Sequence, residues 1–421
     1  MTLGSGSPFR SKDLIFLVVM IVLGIFMRLI WPSDMEWKDD EKDMFAMAQK
    51  AVETGSLPKA GMRSGGGIVN PGLSVAPFAL FALFTKDPVV MNQLVQVVNV
   101  LALCCFLFFI SSKIKGRDRD VWLNGLALAA VSPLAVLFSR KIWAQDMLPL
   151  ISFLFLASNY YRQKGWGAFL WGLTGAVMGQ IHMSGFFFAA GIFVFTVAHD
   201  HFNGFRFRWG YWLAGSMLGG ITLIGWILFM RQHPQINRQS LSHAFEFSFF
   251  IYWFIDSLGI NIYYSLREHF WDFIREPLLM GIPTYLMVLV HLFLIAMAAL
   301  TLSKLVNVGK SFIRSLKGGA LRSGKFFRNM DLTHFYLYGI LLGLGVLLTF
   351  GFTMVHPHYL ICAFPFQYIF LAKLFEKQKL LFRFIVLAQL IITMGFLFYI
   401  HKNGGAPQGD YGVAYHVQVL N

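Results

Sequence analysis

Residues 89–111 read Val-Val-Met-Asn-Gln-Leu-Val-Gln-Val-Val-Asn-Val-Leu-Ala-Leu-Cys-Cys-Phe-Leu-Phe-Phe-Ile-Ser, and this kind of stretch decides the fold. It holds 23 residues without one charge. A helix of that length rises about 34 Å, enough to cross a hydrocarbon core of about 30 Å. Comparable apolar stretches recur on both sides of it, at 14–31, 121–138, 147–161, 167–181, 183–198, 210–230, 279–303, 334–352, 359–375 and 381–400. Residues 72–84 are apolar but too short to span, and read as a helix lying at the membrane surface. The expected fold is therefore an all-α polytopic membrane protein of about eleven transmembrane helices, with outer-surface interfacial helices and no large soluble domain.

Composition agrees from end to end. Of the 421 residues, 57% are hydrophobic, 17% aromatic and only 13% charged, against about 25% charged in soluble domains. A mean hydropathy of +0.60 cannot come from one anchor helix. Leu14–Trp31 is long enough to span and no small-residue cleavage site follows it, so it is expected to stay as a span rather than leave as a signal peptide. The three cysteines, Cys104, Cys105 and Cys362, lie in apolar runs and offer no disulfide framework or zinc pattern. Three regions are expected: a transmembrane module with the first outer loop (1–230), a second outer loop with interfacial helices (231–278), and C-terminal transmembrane helices with a short outer tail (279–421).

The formal charge of +14 is carried by short inter-helix loops, which argues against nucleic acid as a partner and for membrane lipid. With the N-terminus in the cytoplasm, the inner segments collect 21 basic residues against six acidic ones, and the outer segments 14 basic against 15 acidic. The excess of Lys and Arg inside selects this orientation. The longest inner loop, Ser303–Asp331, carries seven of those basic residues, with glycines in Lys317-Gly318-Gly319 and Ser323-Gly324-Lys325. It reads as a topology anchor touching anionic headgroups.

The candidate chemistry lies outside, in Pro32–Pro71 and Arg231–Pro277. Six carboxylates fall between Asp34 and Asp43. A helical pattern follows from Met44 to Glu53, with Asp39 or Asp40 as its N-cap and Thr54-Gly55-Ser56-Leu57-Pro58 as its end. These acids either cap a surface helix and solvate a loop, or supply a general base or a cation site. Further polar groups cluster at Ser139–Asp146, at Gln180-Ile181-His182 and at His356-Pro357-His358-Tyr359. The His-x-His pair suits a metal or an interfacial polar rim equally. Acid beside Arg63, Arg140, Lys141, His182, Arg267, Arg275, His356 and His358 suits a reaction whose leaving group is an anion, with a carboxylate to deprotonate the nucleophile and cations to hold a phosphate. A phosphate at a membrane surface with an apolar tail between helices is a lipid phosphate. The second loop is aromatic, from Phe245 to Phe273, and reads as an interfacial belt or as a lid over an acceptor.

These residues resemble the glycosyltransferases of the C-type (GT-C) fold, the group of the protein O-mannosyltransferases and the lipid A aminoarabinose transferases. Asp40-Glu41, Ala48, Gly55 and Pro58 resemble that family's first outer loop. Asn70-Pro71-Gly72-Leu73 resembles its Pro-Pro-Leu segment, with Gly72 in place of the second proline. Ser139-Arg140 through Asp146 resembles its Arg…Asp turn, and His358-Tyr359-Leu360 with Phe364-Pro365 its late Arg-Tyr-Leu…Leu-Pro segment, with His358 in place of arginine. The resemblance covers the first seven spans well and the last four loosely.

It implies an inverting glycosyltransferase that moves a sugar from a polyprenyl-phosphate donor to a hydroxyl of a glycolipid, glycan or protein acceptor at the outer face of a bacterial inner membrane. Asp40 would be the general base and Glu41 its orienting partner. Arg63, Arg140, Lys141, His182, His356, His358 and Tyr359 would surround the donor phosphate, with Asp146 holding Arg140. Asp39, Glu268, Asp272 and Arg275 are supporting or acceptor-side candidates. No cofactor is required, and a divalent metal at the acids remains open. A transporter or flippase of lipid-linked saccharides would instead show broken helices and repeats, and a polymerase or ligase would move the key residues into Arg231–Pro277. The orientation is checked by cysteine labelling of intact cells after the native cysteines are replaced: Lys59→Cys is expected to react with an impermeant maleimide and Lys164→Cys to stay protected until the membrane is opened.

Overall fold

The structure is a computed structural model that describes residues 11–63, 68–233, 243–317, 324–328 and 330–420. Arg10, Gly318, Gly319, Arg322 and Ser323 of the inner basic segments lie outside these residues, as does part of the second outer loop.

Every expected apolar stretch is helical over most of its length. The order is α1 (Ser11–Leu29), α2 (Asp39–Thr54), strands β1 (Ala60–Arg63) and β2 (Val69–Pro71), a 3-10 turn Gly72–Val75, and α3 (Ala76–Ala82). Then come α4 (Pro88–Lys113), α5 (Gly116–Val131), α6 (Pro133–Leu137), α7 (Leu148–Tyr160), α8 (Gly165–Ile181), α9 (Ser184–Phe202), α10 (Trp209–Gly220) and α11 (Leu223–Gln232). The second outer loop holds α12 (Ser248–Ser257), α13 (Ile262–Leu266) and α14 (Phe270–Phe273), closed by a hairpin of β3 (Leu278–Leu279) and β4 (Ile282–Pro283). The chain ends with α15 (Leu286–Lys317), α16 (Lys325–Arg328), α17 (Leu332–Tyr338), a π-helical Gly339–Gly345 running into α18 (Val346–Thr349), a 3-10 turn Pro357–Ala363, α19 (Phe366–Leu374), α20 (Lys379–Asn403), strands β5 (Gly405–Ala406) and β6 (Gly412–Val413), and α21 (Tyr415–Leu420).

Five of these stretches are long and apolar enough to cross a membrane by length and composition: Pro88–Lys113, Ser184–Phe202, Leu286–Ser311, Leu332–Thr349 and Lys379–Asn403. The pair α10–α11, bent by 53°, makes a sixth if taken as one span. The chain is thus a helical protein with several apolar helices suited to a multi-pass membrane protein. Helices of the first and last regions interlock. Gly125 of α5 lies so close to α19 that a Cβ there would meet Ile369 at 2.6 Å, and Thr393 of α20 donates to the Val131 carbonyl at 2.6 Å.

Two charged side chains tie helix ends of this bundle together through main-chain carbonyls. Arg28 donates to Gly24 and, across the helix gap, to Ala129, Ala130 and Ala135. The break between α5 and α6 at Ser132-Pro133 frees the Ala129 carbonyl, since Pro133 supplies no N–H. Arg140 does the same for the end of α1, donating to Met27 at 2.7 Å, Arg28 at 3.2 Å and Trp31 at 2.9 Å. The last carbonyls of a helix have no partner within it, and a buried guanidinium is well shaped to take several.

The second outer loop departs from expectation. Its first helix does not lie across the ends of the others. α12 inserts among them: Trp253 meets Phe370 edge-on at 6.0 Å, and the Ser257 carbonyl accepts from Gln389 at 2.9 Å. Gln389 stands ten residues into α20, about 15 Å along its axis. The reason is composition: nine of the ten α12 residues are uncharged, leaving Asp256 as the one charged group to be buried.

Gly72 sits where two parts of the chain approach closely. A Cβ there would lie 1.7 Å from the Pro58 carbonyl oxygen, so the close approach of the two strand ends excludes any larger residue. The α8–α10 crossing rests on the same device, with Gly215 facing the Phe169 carbonyl and Gly172 facing the Trp212 carbonyl. Gly215→Leu is expected to lower stability by about 1–3 kcal/mol through overpacking, read as a fall in the thermal midpoint of the detergent-solubilised protein. Gly210→Leu, where nothing lies within 4 Å of the added Cβ, is expected to leave the midpoint unchanged.

Candidate functional site

A cavity of about 240 Å³ opens at the end of the helix bundle that carries α2 and the β1–β2 hairpin. Its lining comes from stretches far apart in the chain: the loop before α2 (Glu36, Lys38), the first turn of α2 (Asp40, Glu41), the hairpin (Met62, Arg63, Asn70), the turn after α6 (Lys141, Trp143, Gln145), and the histidine segments (His182, His356, His358, Tyr359). The second outer loop adds Asn261, Tyr264 and Ser265, and the C-terminal tail adds Asp410.

The acidic end is set by how α2 starts. The helix begins at Asp39, and its N-cap is Lys38, one residue earlier than expected. Glu41 closes a capping box by accepting from the Lys38 amide at 3.1 Å. Three acids in the first turn suit the positive end of the helix dipole. At the far end Gly55 adopts φ 64° and stops the helix as expected. Asp40 is exposed to the cavity, and its carboxylate accepts from Trp143 Nε1 at 3.1 Å. Asp39 points away from the lining.

The turn Ser139–Asp146 sends two neighbouring cations to opposite sides. Arg140 is committed to the α1 carbonyls and does not line the cavity, so the expected direct contact of Arg140 with a donor phosphate is corrected. Asp146 does not hold Arg140 either. Its carboxylate accepts from the Lys141 amide at 3.1 Å, and its carbonyl accepts from Asn99 at 2.9 Å, which fixes the turn beneath the cavity. Lys141 is the cation that enters the lining. Its ammonium lies 5.2 Å from the Phe138 ring and 5.1 Å from the Trp143 ring, and it forms an ion pair with Glu36. Both side chains are almost fully buried. Lys38 lies 3.6 Å from the same carboxylate and 3.7 Å from Asp410.

Burial pushes the Glu36 carboxyl up to about 7, against the pull of Lys141 and Lys38. Burial works against the Lys141 ammonium, yet the charges of Glu36 and Glu41 outweigh it and hold the group above the ordinary lysine value. Burial also raises Asp146 well above the usual carboxylate range.

The histidines form one aromatic wall. His356 and His358 stack at 5.4 Å, His358 meets His182 at 5.5 Å and Trp143 at 4.9 Å, and Tyr359 meets His182 at 5.1 Å. His182 Nδ1 shares a hydrogen bond with Ser184 at 2.8 Å. Burial pushes His182 down to about 3 and His358 well below the usual imidazole value. These two rings are therefore neutral at physiological pH. They offer N–H donors to a ligand, not the positive charge expected of them. Among the described residues no group of three His, Cys, Asp or Glu side chains is arranged to hold a metal.

From the second outer loop, Glu268, Asp272 and Arg275 stand outside the lining. Arg275 and Asp272 face each other at 3.5 Å, with side chains 57% and 62% exposed. The sequence placed the acceptor side here, and the fold instead brings in Asn261, Tyr264 and Ser265 because α13 returns to the outer surface after α12. Glu36 also went unmarked among six acids. One signal sets it apart: Met35 and Trp37 flank it, so it is the acid least able to stay in water. The tail was expected to be a short outer extension. Instead Tyr411 donates to the Asp34 carbonyl, His401 and His416 lie 2.8 and 3.1 Å from the Asp34 carboxylate, and Gln418 donates to the Trp37 carbonyl at 2.9 Å.

No protein-family model, no curated protein and no solved structure matches this chain. The site therefore stands on its own chemistry. Removing one partner of a buried ion pair costs about 3–5 kcal/mol, because the group left behind must either stay charged in the interior or change its protonation, while replacing both is far milder. Lys141→Met alone is expected to destabilise the protein by that amount, and Lys141→Met with Glu36→Gln to recover most of it, in a double-mutant cycle followed by thermal unfolding in detergent.

Proposed function

We propose that the protein is a membrane glycosyltransferase of the C-type fold, with about eleven spans, that moves a sugar from a polyprenyl-phosphate donor to an acceptor hydroxyl at the outer face of the membrane. The observation that carries this reading is one cavity in which an exposed, indole-anchored carboxylate, Asp40, faces a buried ammonium, Lys141. A base and an anion-holding group on one cavity suit a displacement whose leaving group is a phosphate.

In the proposed reaction Asp40 takes the proton of the acceptor hydroxyl. The acceptor oxygen bonds to the anomeric carbon as the bond from that carbon to the phosphate oxygen breaks, which inverts the centre. The electron pair leaves with the polyprenyl phosphate, whose charge is met by Lys141 and, at the mouth, by Arg63. His356, His358 and His182 contribute N–H donors, and Tyr359 shapes the wall. Glu41 keeps Asp40 in place through the capping box. Arg140 acts at one remove, by holding the end of α1 beside the turn that carries Lys141. The described residues around the acids call for no cofactor in this scheme, and a divalent metal is not used in any step. The donor partner is a lipid-linked sugar, the acceptor a glycolipid, glycan or protein.

A second reading, transport of a lipid-linked saccharide, is favoured by two features: the 53° bend between α10 and α11 and the insertion of α12 among the helices. Broken helices of this kind line transporter cavities. A polymerase or ligase reading draws on Asn261, Tyr264 and Ser265 in the lining. The readings separate on turnover. Asp40→Asn in the purified protein is expected to lower sugar transfer from a polyprenyl-phosphate donor by about 10²–10⁴ while leaving donor binding intact. Mass spectrometry of lipids from cells lacking the gene is expected to show the polyprenyl-phosphate sugar accumulating. Turnover by Asp40→Asn at the native rate rules out the base assignment, and unchanged glycolipids in deleted cells rule out the transferase.

A further inference from the structure

Lys141 is the deepest cation on the cavity lining, yet its charge is already matched. The Lys141 and Glu36 side chains are only 4% and 1% exposed. An anion that enters the cavity must therefore compete with Glu36 for this ammonium. Glu36 has little to fall back on. Lys38 lies 3.6 Å away but is shared with Asp410, and no other donor reaches the Glu36 carboxylate among the described residues. Without Lys141 the carboxylate is left beside Glu41 of α2, Asp146 of the following turn, and Asp410 and Tyr411 of the tail. Buried among these groups, a charged carboxylate is unfavourable and a neutral acid is not.

We propose that Glu36 and Lys141 form an exchangeable pair, in which a phosphate-bearing lipid takes the Lys141 ammonium and Glu36 takes up a proton from solvent. The site then binds its anion together with one proton. This rests on the reading of the cavity as a lipid-phosphate site and adds a proton and the residue that receives it. Glu36 acts here as a positioning residue. It holds Lys141 charged and in place while the cavity is empty, and it releases Lys141 without leaving a buried negative charge behind.

The sign of the pH dependence follows. In the empty cavity Glu36 gives up its proton near pH 7; in the filled cavity it keeps the proton to higher pH, because its main counter-charge has gone. Below that point both states carry the proton and affinity is flat. Above it, binding draws a proton from solvent, and affinity falls about tenfold per pH unit. The other groups facing the pair do not reproduce this slope. Lys141 stays charged and Tyr411 stays neutral throughout that range. His182, His356 and His358 are pushed down by burial and are already neutral above pH 7. Asp146 and Glu41 are the other buried acids close to Lys141, and Asp146→Asn and Glu41→Gln serve as their controls.

The test uses the full chain in detergent micelles and farnesyl methyl phosphate, a phosphodiester that stays monoanionic throughout. Titration calorimetry in two buffers of different ionisation heat, at about pH 8, is expected to show about one proton taken up per probe bound. The Kd is expected to weaken about fivefold between pH 7 and 8 and about tenfold between pH 8 and 9. Glu36→Gln is expected to bind with no proton uptake and no pH slope. Glu36→Asp, which keeps a carboxyl and covers the case in which the glutamine variant fails to fold, is expected to retain both, as are Asp146→Asn and Glu41→Gln. Wild-type binding that is independent of buffer overturns the exchange and leaves the anion cavity standing. Proton uptake that persists in Glu36→Gln overturns Glu36 as the receiving group. No binding of the probe by the wild type even at pH 6 overturns the exchange and the lipid-phosphate cavity together.

Discussion

The half of the protein that carries the cavity depends on how it satisfies main-chain carbonyls that its broken helices leave without partners. In an apolar bundle no water reaches such groups, and each one left bare costs several kcal/mol. Arg28 and Arg140 meet that need at the ends of α5 and α1. Their positions decide the rest. With Arg140 drawn into the bundle, the next residue along the turn faces the other way, and so Lys141 enters the cavity. Glu36 is then drawn down to it, which fixes the loop between α1 and α2, and with it the start of the helix that presents Asp40. The guanidiniums serve structure and the ammonium serves the site, a division that matches their chemistry. A planar fork with five donors suits several carbonyls at once, and a compact ammonium suits one exchangeable counter-ion.

The sequence is most legible where one physical signal acts alone. Apolar length needs no partner to be read, so each stretch expected to be a span is helical over most of its length, and Gly55 ends α2 where the spacing predicts. The limits of this signal show at 279–303, which opens as a hairpin before α15 begins at Leu286, and at α12, where apolar content alone does not distinguish a helix lying on the bundle from one inserted into it. The contents of the cavity were legible in part: Asp40, Glu41, Arg63, Lys141, His182, His356, His358 and Tyr359 all line it. Which cation faces the cavity was not legible, because Arg140 and Lys141 differ only in the side of a turn they occupy. The charge of the histidines was not legible either, since it depends on burial by segments more than a hundred residues away.

The tail and the second outer loop mark the boundary of what a local reading reaches. Asp410 meets Lys38 across more than 370 residues, and the Asp34 carboxylate lies between His401 and His416. No motif announces such a contact, because each partner is an ordinary polar residue in an ordinary loop. The contact arises only because α20 runs back to the outer surface and stacks His401 on Trp31 at 4.0 Å.

That closure has a consequence for the site. The alternating chain Lys141, Glu36, Lys38, Asp410 runs from the floor of the cavity to its rim, and every link but the last is supplied by the first outer loop and its neighbouring turn. A ligand charge that takes one member of such a chain changes the partner available to the next. Lys38, relieved of part of its attraction to Glu36 when that acid is neutral, is left with Asp410 as its main counter-charge. A change at Lys141 can thereby reach the tail along the pairs Glu36–Lys38 and Lys38–Asp410. The loop between α1 and α2 is thus joined to the C-terminal segment by charge, at the rim of the cavity.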